Sequence, residues 1–202
     1  MLKILKIAKA AKARELRGIN STLEACKSAF ATLLEIISKI TPVGIMKCLF
    51  DRTDFENLTS YFNTSERYIR GNFVYELSAH SPVRTHCVTF ALSDSKTKPF
   101  SQKCPENDHM EKCSNCQLLP QAIQILRNMI EVLYNNKAIT HYDYVEFVYD
   151  TVDAHSKIQA YIFHLIRNHQ SNNVWKTMMD RQVEGDVFVT FDFAMKFLPR
   201  VS

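Results

Sequence analysis

Cys104, His109, Cys113 and Cys116 stand within thirteen residues in the spacing C-x4-H-x3-C-x2-C. Four soft or borderline donors are what tetrahedral zinc requires. Two residues between Cys113 and Cys116 let a tight turn aim both thiolates at one point. The Pro-Glu-Asn-Asp content ahead of His109 suits a segment folded about an ion rather than about a core. With every ligand position filled by protein, no place remains for a reacting water, so the expected zinc is structural. Such an ion can contribute an apparent binding energy of about 10 to 16 kcal/mol to local folding. No second Cys-x-x-Cys occurs, so the four-ligand spacing carries the specificity. His86 and Cys87 could each substitute for one ligand and rank below His109. Without an ion, the same residues are a chance cluster of reduced surface cysteines.

Two other groups of residues could do chemistry. Lys3, Lys6, Lys9, Lys12, Arg14 and Arg17 face one acid, Glu15, so residues 1–18 carry a net +5 while the whole chain carries +4 and the remainder −1. That local field would attract phosphate and weaken with salt, which makes DNA the expected partner of these six side chains. Asp192 ends a β-branched and aromatic run at residues 187–191, where an acid is ordinarily a strand terminator. Two-metal phosphoryl chemistry needs several carboxylates from different elements, and none of the ten residues after Asp192 is acidic. Asp192 is therefore a catalytic candidate without the rest of its set, and the expectation is a protein that is not an enzyme.

The elements that must position these groups are mainly helical. Four glycines and six prolines in 202 residues are too few for many tight turns, and 46% hydrophobic content supports a respectable core. The expected fold is a helical-bundle-like chain with a small zinc knot and a C-terminal strand. Its expected division is a basic segment at 1–18, a helical region with an irregular loop at 19–100, the knot at 101–117, a second helical region at 118–184, and the strand with its end at 185–202. No uninterrupted apolar run approaches the about 18 residues of a bilayer span, Glu35 breaking the best one, so no membrane is expected. The lysines at 3, 6 and 9 break any secretory signal, and unpaired cysteine usage fits a reducing compartment. Nucleus or cytoplasm is the expected location, with a mitochondrial presequence as the alternative.

Ser21 and Glu24 form a capping-box pattern that predicts a helix start, followed by a seam of Leu23, Cys26, Phe30, Leu33, Ile37 and Ile40 spaced 3, 4, 3, 4, 3 and ending at Thr41-Pro42. So short a seam favours packing within the chain, a partner helix being the alternative. Aromatics between 50 and 78 allow two short helices broken at Asn63-Thr64-Ser65, hence a helix-turn-helix, although such spacing is more often core. Residues 86–91 suit a short strand or helix. Pro120 fits a first helical turn, with an apolar stripe from Leu119, Ala122, Ile123, Leu126, Met129, Ile130 and Leu133, and Asn135-Asn136 ending or bending that helix. A long helix is expected from about Asp143 to Asn168, with Val148, Val152, His155, Ile158, Ile162 and Leu165 on its apolar face. In it His155 reads as a hydrogen-bonded core histidine, and His164, Arg167 and His169 sit near the negative pole. Trp175 is placed in a further short helix from about Ser171.

The cysteine cluster, His164-Leu165-Ile166-Arg167, and above all Asp192-Phe193-Ala194-Met195-Lys196-Phe197-Leu198-Pro199 resemble a group of animal proteins that look like remnants of DNA transposases. Leu16-Arg17-Gly18-Ile19 and His86-Cys87 with Phe90-Ala91-Leu92-Ser93-Asp94 are similar to the same group. The resemblance implies that the strand before Asp192 opens a ribonuclease-H-like domain, with Asp192 as a first metal ligand. Such proteins run on into further sheet and further carboxylates, so the resemblance implies a truncated nuclease domain here and a zinc-stabilised helical module ahead of it.

Overall fold

The computed structural model describes residues 2–92 and 109–180, with side chains from residue 18 on apart from Ile19, Trp175 and residues 178–180. Its helices are α1 (Leu2–Met46), α2 (Arg52–Gly71), a 3-10 turn (Phe73–Glu76), α3 (Val88–Ala91), α4 (Ser114–Asn135) and α5 (His141–Asp180), and no strand occurs among the described residues. The expected strand at 187–191, Asp192 and Cys104 lie outside them. So do the side chains of Lys3, Lys6, Lys9, Lys12, Arg14 and Arg17, whose backbone belongs to α1.

Helix α1 packs on α2 and α5, and α4 packs on the same two, which closes a ring of four helices. A Cβ on Gly18 would lie 3.5 Å from His164 Cε1. Lys39, held protonated chiefly by its hydrogen bond to Glu35, also senses Glu146 and Asp150. Helices α1 and α5 therefore run antiparallel. The α1 seam is the inner face of this ring: Cys26, Phe30, Leu33, Ile37 and Ile40 are buried and Leu23 packs against them. It is thus occupied by the chain's own helices. By length and composition alone, the stretch Asn20–Met46 would suffice to cross a membrane, in spite of Glu35.

Several expected boundaries are corrected. Ser21 does not start a helix, since α1 begins at Leu2; Glu24 instead pairs with Lys27 at 2.7 Å. Thr41-Pro42 does not end it. Pro42 removes one backbone donor, but Thr41 Oγ1 donates to the Ile37 carbonyl at 2.6 Å and the helix runs on to Met46. Gly44 is required there, because a Cβ would meet the buried Phe55 ring at 2.8 Å.

Helix α2 opens with a reciprocal cap, Asp51 accepting from Asp54 N and Asp54 from Asp51 N, each at 3.0 Å. It then passes without a break through Asn63-Thr64-Ser65, which removes the helix-turn-helix. Phe55, Leu58, Phe62, Ser65, Tyr68 and Ile69 form one continuous inner stripe. Helix α4 starts at Ser114, so Pro120 is interior rather than in the first turn, while the expected apolar stripe is buried in full.

Thr140 and Asp143 cap α5 reciprocally at 3.1 Å, and α5 continues unbroken past Ser171. His164, Arg167 and His169 are accordingly inside it and not at its end. Its buried seam is also rotated from the expected one: Phe147, Thr151, Ala154, Ile158, Tyr161 and Leu165 face inward and Val152 is half exposed. Thr151 tolerates this because its hydroxyl donates to the Phe147 carbonyl at 2.7 Å. His155 is partly buried and lies 3.3 Å from Gln159 Nε2.

Candidate metal centre

After α2, residues 72–92 make an irregular excursion whose backbone bonds decide what meets what. Ser78 N donates to the His86 carbonyl at 3.0 Å, and Val88 N donates to the Ser78 carbonyl at 2.9 Å. His86 N and Cys87 N both turn back to the Val83 carbonyl, at 3.0 and 3.1 Å. A second bridge pairs Val83 with Glu111, two residues before Cys113. These bonds bring residue 86 to the beginning of α4.

There Cys113 is the residue ahead of the first helical turn and Cys116 lies within that turn. Their sulfurs and His86 Nε2 all lie within 4.8 Å of one another. His86 Nε2 is 3.2 Å from Cys116 Sγ. From α2, Tyr68 sends its hydroxyl into the same space, 2.9 Å from His86 Nε2 and 3.6 Å from each sulfur. Glu76, on the 3-10 turn, accepts from that hydroxyl at 2.6 Å and lies 3.2 Å from His86 Nε2. The rings are held edge-on in series, Tyr68 against Phe73 at 6.2 Å and Phe73 against His86 at 5.9 Å.

Burial governs the electrostatics. It holds the His86 imidazole below its ordinary value although Glu76 pulls the other way, so the ring is neutral and able to offer a lone pair. It also pushes the Cys116 thiol up to about 11. Tyr68 is raised above the usual phenol range, first by burial and then by its bond to Glu76, so it is a neutral hydroxyl while no ion is bound. Two sulfurs and a neutral imidazole form a donor set that could hold a metal ion.

Of the ligands expected from sequence, Cys113 and Cys116 are brought together. The histidine beside them is His86, which sequence spacing ranked second. His109 is not in the set. It has a left-handed φ of 47° and packs edge-on against Phe90 at 5.0 Å, with both ring nitrogens buried and, among the described residues, making no hydrogen bond. Cys87 serves elsewhere, since its sulfur accepts from Phe90 N and approaches the Ala79 carbonyl, each at 3.4 Å, at the start of α3. Cys104 lies outside the described residues. Tyr68 and Glu76 were not anticipated as polar members of a site, because an aromatic at helical spacing reads as core. The pairing of Val83 with Glu111 has no short-range sequence signal. Comparisons with family models, with curated proteins and with solved structures find no match for this chain.

Proposed function

We propose that this is a non-catalytic binding module in which one structural zinc ion ties the beginning of α4 to the end of α2 and the excursion between them. The convergence of His86 Nε2, Cys113 Sγ and Cys116 Sγ carries this reading. Thiolate and imidazole donors suit zinc, whereas calcium and magnesium take oxygen. Because the Cys116 thiol is protonated at neutral pH, the ion must displace that proton, and affinity rises with pH. The test is metal analysis of the chain purified under reducing conditions, with thermal unfolding before and after chelation. One equivalent of zinc and a melting temperature lowered by chelator are expected. A metal-free protein whose melting ignores chelator removes the reading.

The module's partner in this proposal is DNA, and its ancestry is transposase-like. The terminal +5 segment and the sequence resemblance support both. Duplex affinity should fall steeply with salt and collapse when Lys3, Lys6, Lys9, Lys12, Arg14 and Arg17 are changed to glutamine. Binding that ignores salt, or survives those six changes, removes DNA from the proposal.

A further inference from the structure

Among the described residues three donors converge, one fewer than a tetrahedral ion takes. Metal–nitrogen and metal–oxygen bonds of about 2.0 Å and metal–sulfur bonds of about 2.3 Å fix the edges of such a tetrahedron. They are about 3.3 Å between nitrogen and oxygen and about 3.5 Å between sulfur and oxygen. The Tyr68 hydroxyl oxygen lies 2.9 Å from His86 Nε2 and 3.6 Å from both Cys113 Sγ and Cys116 Sγ. All three distances fall within a few tenths of an ångström of those edges.

We infer that Tyr68 is the fourth ligand, giving a site of two thiolates, one imidazole and one phenolate. The inference rests on the zinc reading above. Two other oxygens are near: the Thr85 hydroxyl, which is hydrogen-bonded to Cys116, and Glu76, whose 3.2 Å to His86 Nε2 also matches an edge. Yet Glu76 is not among the residues whose ligand atoms all lie within 4.8 Å, whereas the Tyr68 oxygen reaches both sulfurs. Glu76 has a different task. Its Oε2 is 2.6 Å from the phenol oxygen, placed to receive the proton that the metal displaces. The phenol O–H bond breaks, the proton passes to the carboxylate, and the oxygen lone pair forms the metal–oxygen bond. Tyr68 needs little rearrangement for this, since its ring is buried in the core cluster and held edge-on by Phe73.

This ligand set has a signature that a merely structural tyrosine lacks. Titrating zinc into the reduced full-length chain should raise the ultraviolet difference band of ionised tyrosine by the amount of one phenolate out of the chain's eight tyrosines. The band should saturate at one equivalent. Tyr68→Phe, which keeps the buried ring, should fold, lose the band, and bind zinc more weakly by more than the about 10- to 100-fold that an outer-shell hydrogen bond is worth. His109→Ala and Cys104→Ser should keep both band and affinity. Zinc bound by the wild type without the band, or a band that persists in Tyr68→Phe, overturns the tyrosine ligand and leaves the zinc module standing. Loss of zinc from His109→Ala or Cys104→Ser, with Tyr68→Phe unaffected, assigns the vertex to that residue and overturns the inference equally. A wild type that binds no zinc removes the module itself.

Discussion

Leu33, Leu126 and Ile158 are sealed from water in the middle of the ring and need nothing but one another, whereas Tyr68, His86, Cys113 and Cys116 gather at its polar corner around lone pairs. The two regions share a wall. Tyr68, Phe73, Leu77 and Val88 belong to the same apolar cluster as the inner seam, and both cysteines pack against it. Burial stabilises the seam directly, at about 25 cal/mol per Å² of apolar surface removed from water. In the corner the same burial opposes ionisation of Cys116 and protonation of His86, so both groups stay neutral unless a bound cation compensates the thiolate. On the proposed zinc reading, one helix ring contains a part whose stability is its own and a part whose stability depends on an ion.

The largest expected effect tests the self-sufficient part. Leu126→Ala empties a site with no exposed surface and should cost about 2 to 5 kcal/mol, read by urea unfolding. The cost should be the same with zinc and with chelator. A cost that doubles or vanishes on chelation would mean that seam and corner are not separable. Next comes the ion-dependent part. With free zinc at a hundred times its dissociation constant, the wild type should gain about 2.7 kcal/mol over its chelated form. Cys116→Ser should lose that gain while matching the chelated wild type within experimental error. A serine variant still stabilised by zinc would place the ion elsewhere.

A smaller effect asks whether α2 transmits damage from one region to the other. Asp51→Ala removes half of the reciprocal cap at the far end of the helix that carries Tyr68. About 1 kcal/mol of stability should be lost, with zinc affinity unchanged, because the cap and the metal ligands are at opposite ends of α2. A fall in affinity to match would show that the corner is held in place by the whole length of α2.

What could be read from the chain alone follows the same division. The α1 seam from Leu23 to Ile40 and the α4 stripe were legible because their apolar residues recur at helical spacing on the face that is buried. Helix α5 was not, since Tyr142, Val145, Tyr149 and Val152 are apolar and exposed; with hydrophobic residues on several faces, periodicity does not choose among them. Thr151 and Ala154 face inward instead, because a small side chain and a hydroxyl bonded to its own helix cost little to bury. Helix starts were misplaced where a local signal was present but the helix runs straight through it, as at Ser21 and Pro120. In the corner, Cys113 and Cys116 were legible from their two-residue separation. His86 was legible only as a substitute ranked below His109, and Tyr68 not at all, because thirty and forty-eight residues separate them from Cys116 and only folding brings them near.

The smallest effect is a pH dependence that distinguishes the two histidines by region. Burial, and after it the Arg127 charge, holds His155 below its ordinary value of 6.5 in the folded chain. The unfolded chain therefore binds more protons just below that pH, so stability is fully present above about 6.5 and is lost as pH falls toward the depressed folded value. His86 has the same sign while its nitrogen is free. Once an ion occupies His86 Nε2, that histidine's share becomes part of the metal equilibrium and His155 alone remains in the bundle's own titration. The slope for one histidine is bounded by about 1.4 kcal/mol per pH unit. In zinc-saturated protein, unfolding measured from pH 7 down to pH 5.5 should lose the His155 share of its slope in His155→Gln and keep the share that comes from protons displaced by the ion. In chelated protein the same substitution should leave a residual slope, which His86 supplies and His86→Gln then removes. A residual slope that survives both substitutions would place the acid sensitivity outside these two rings.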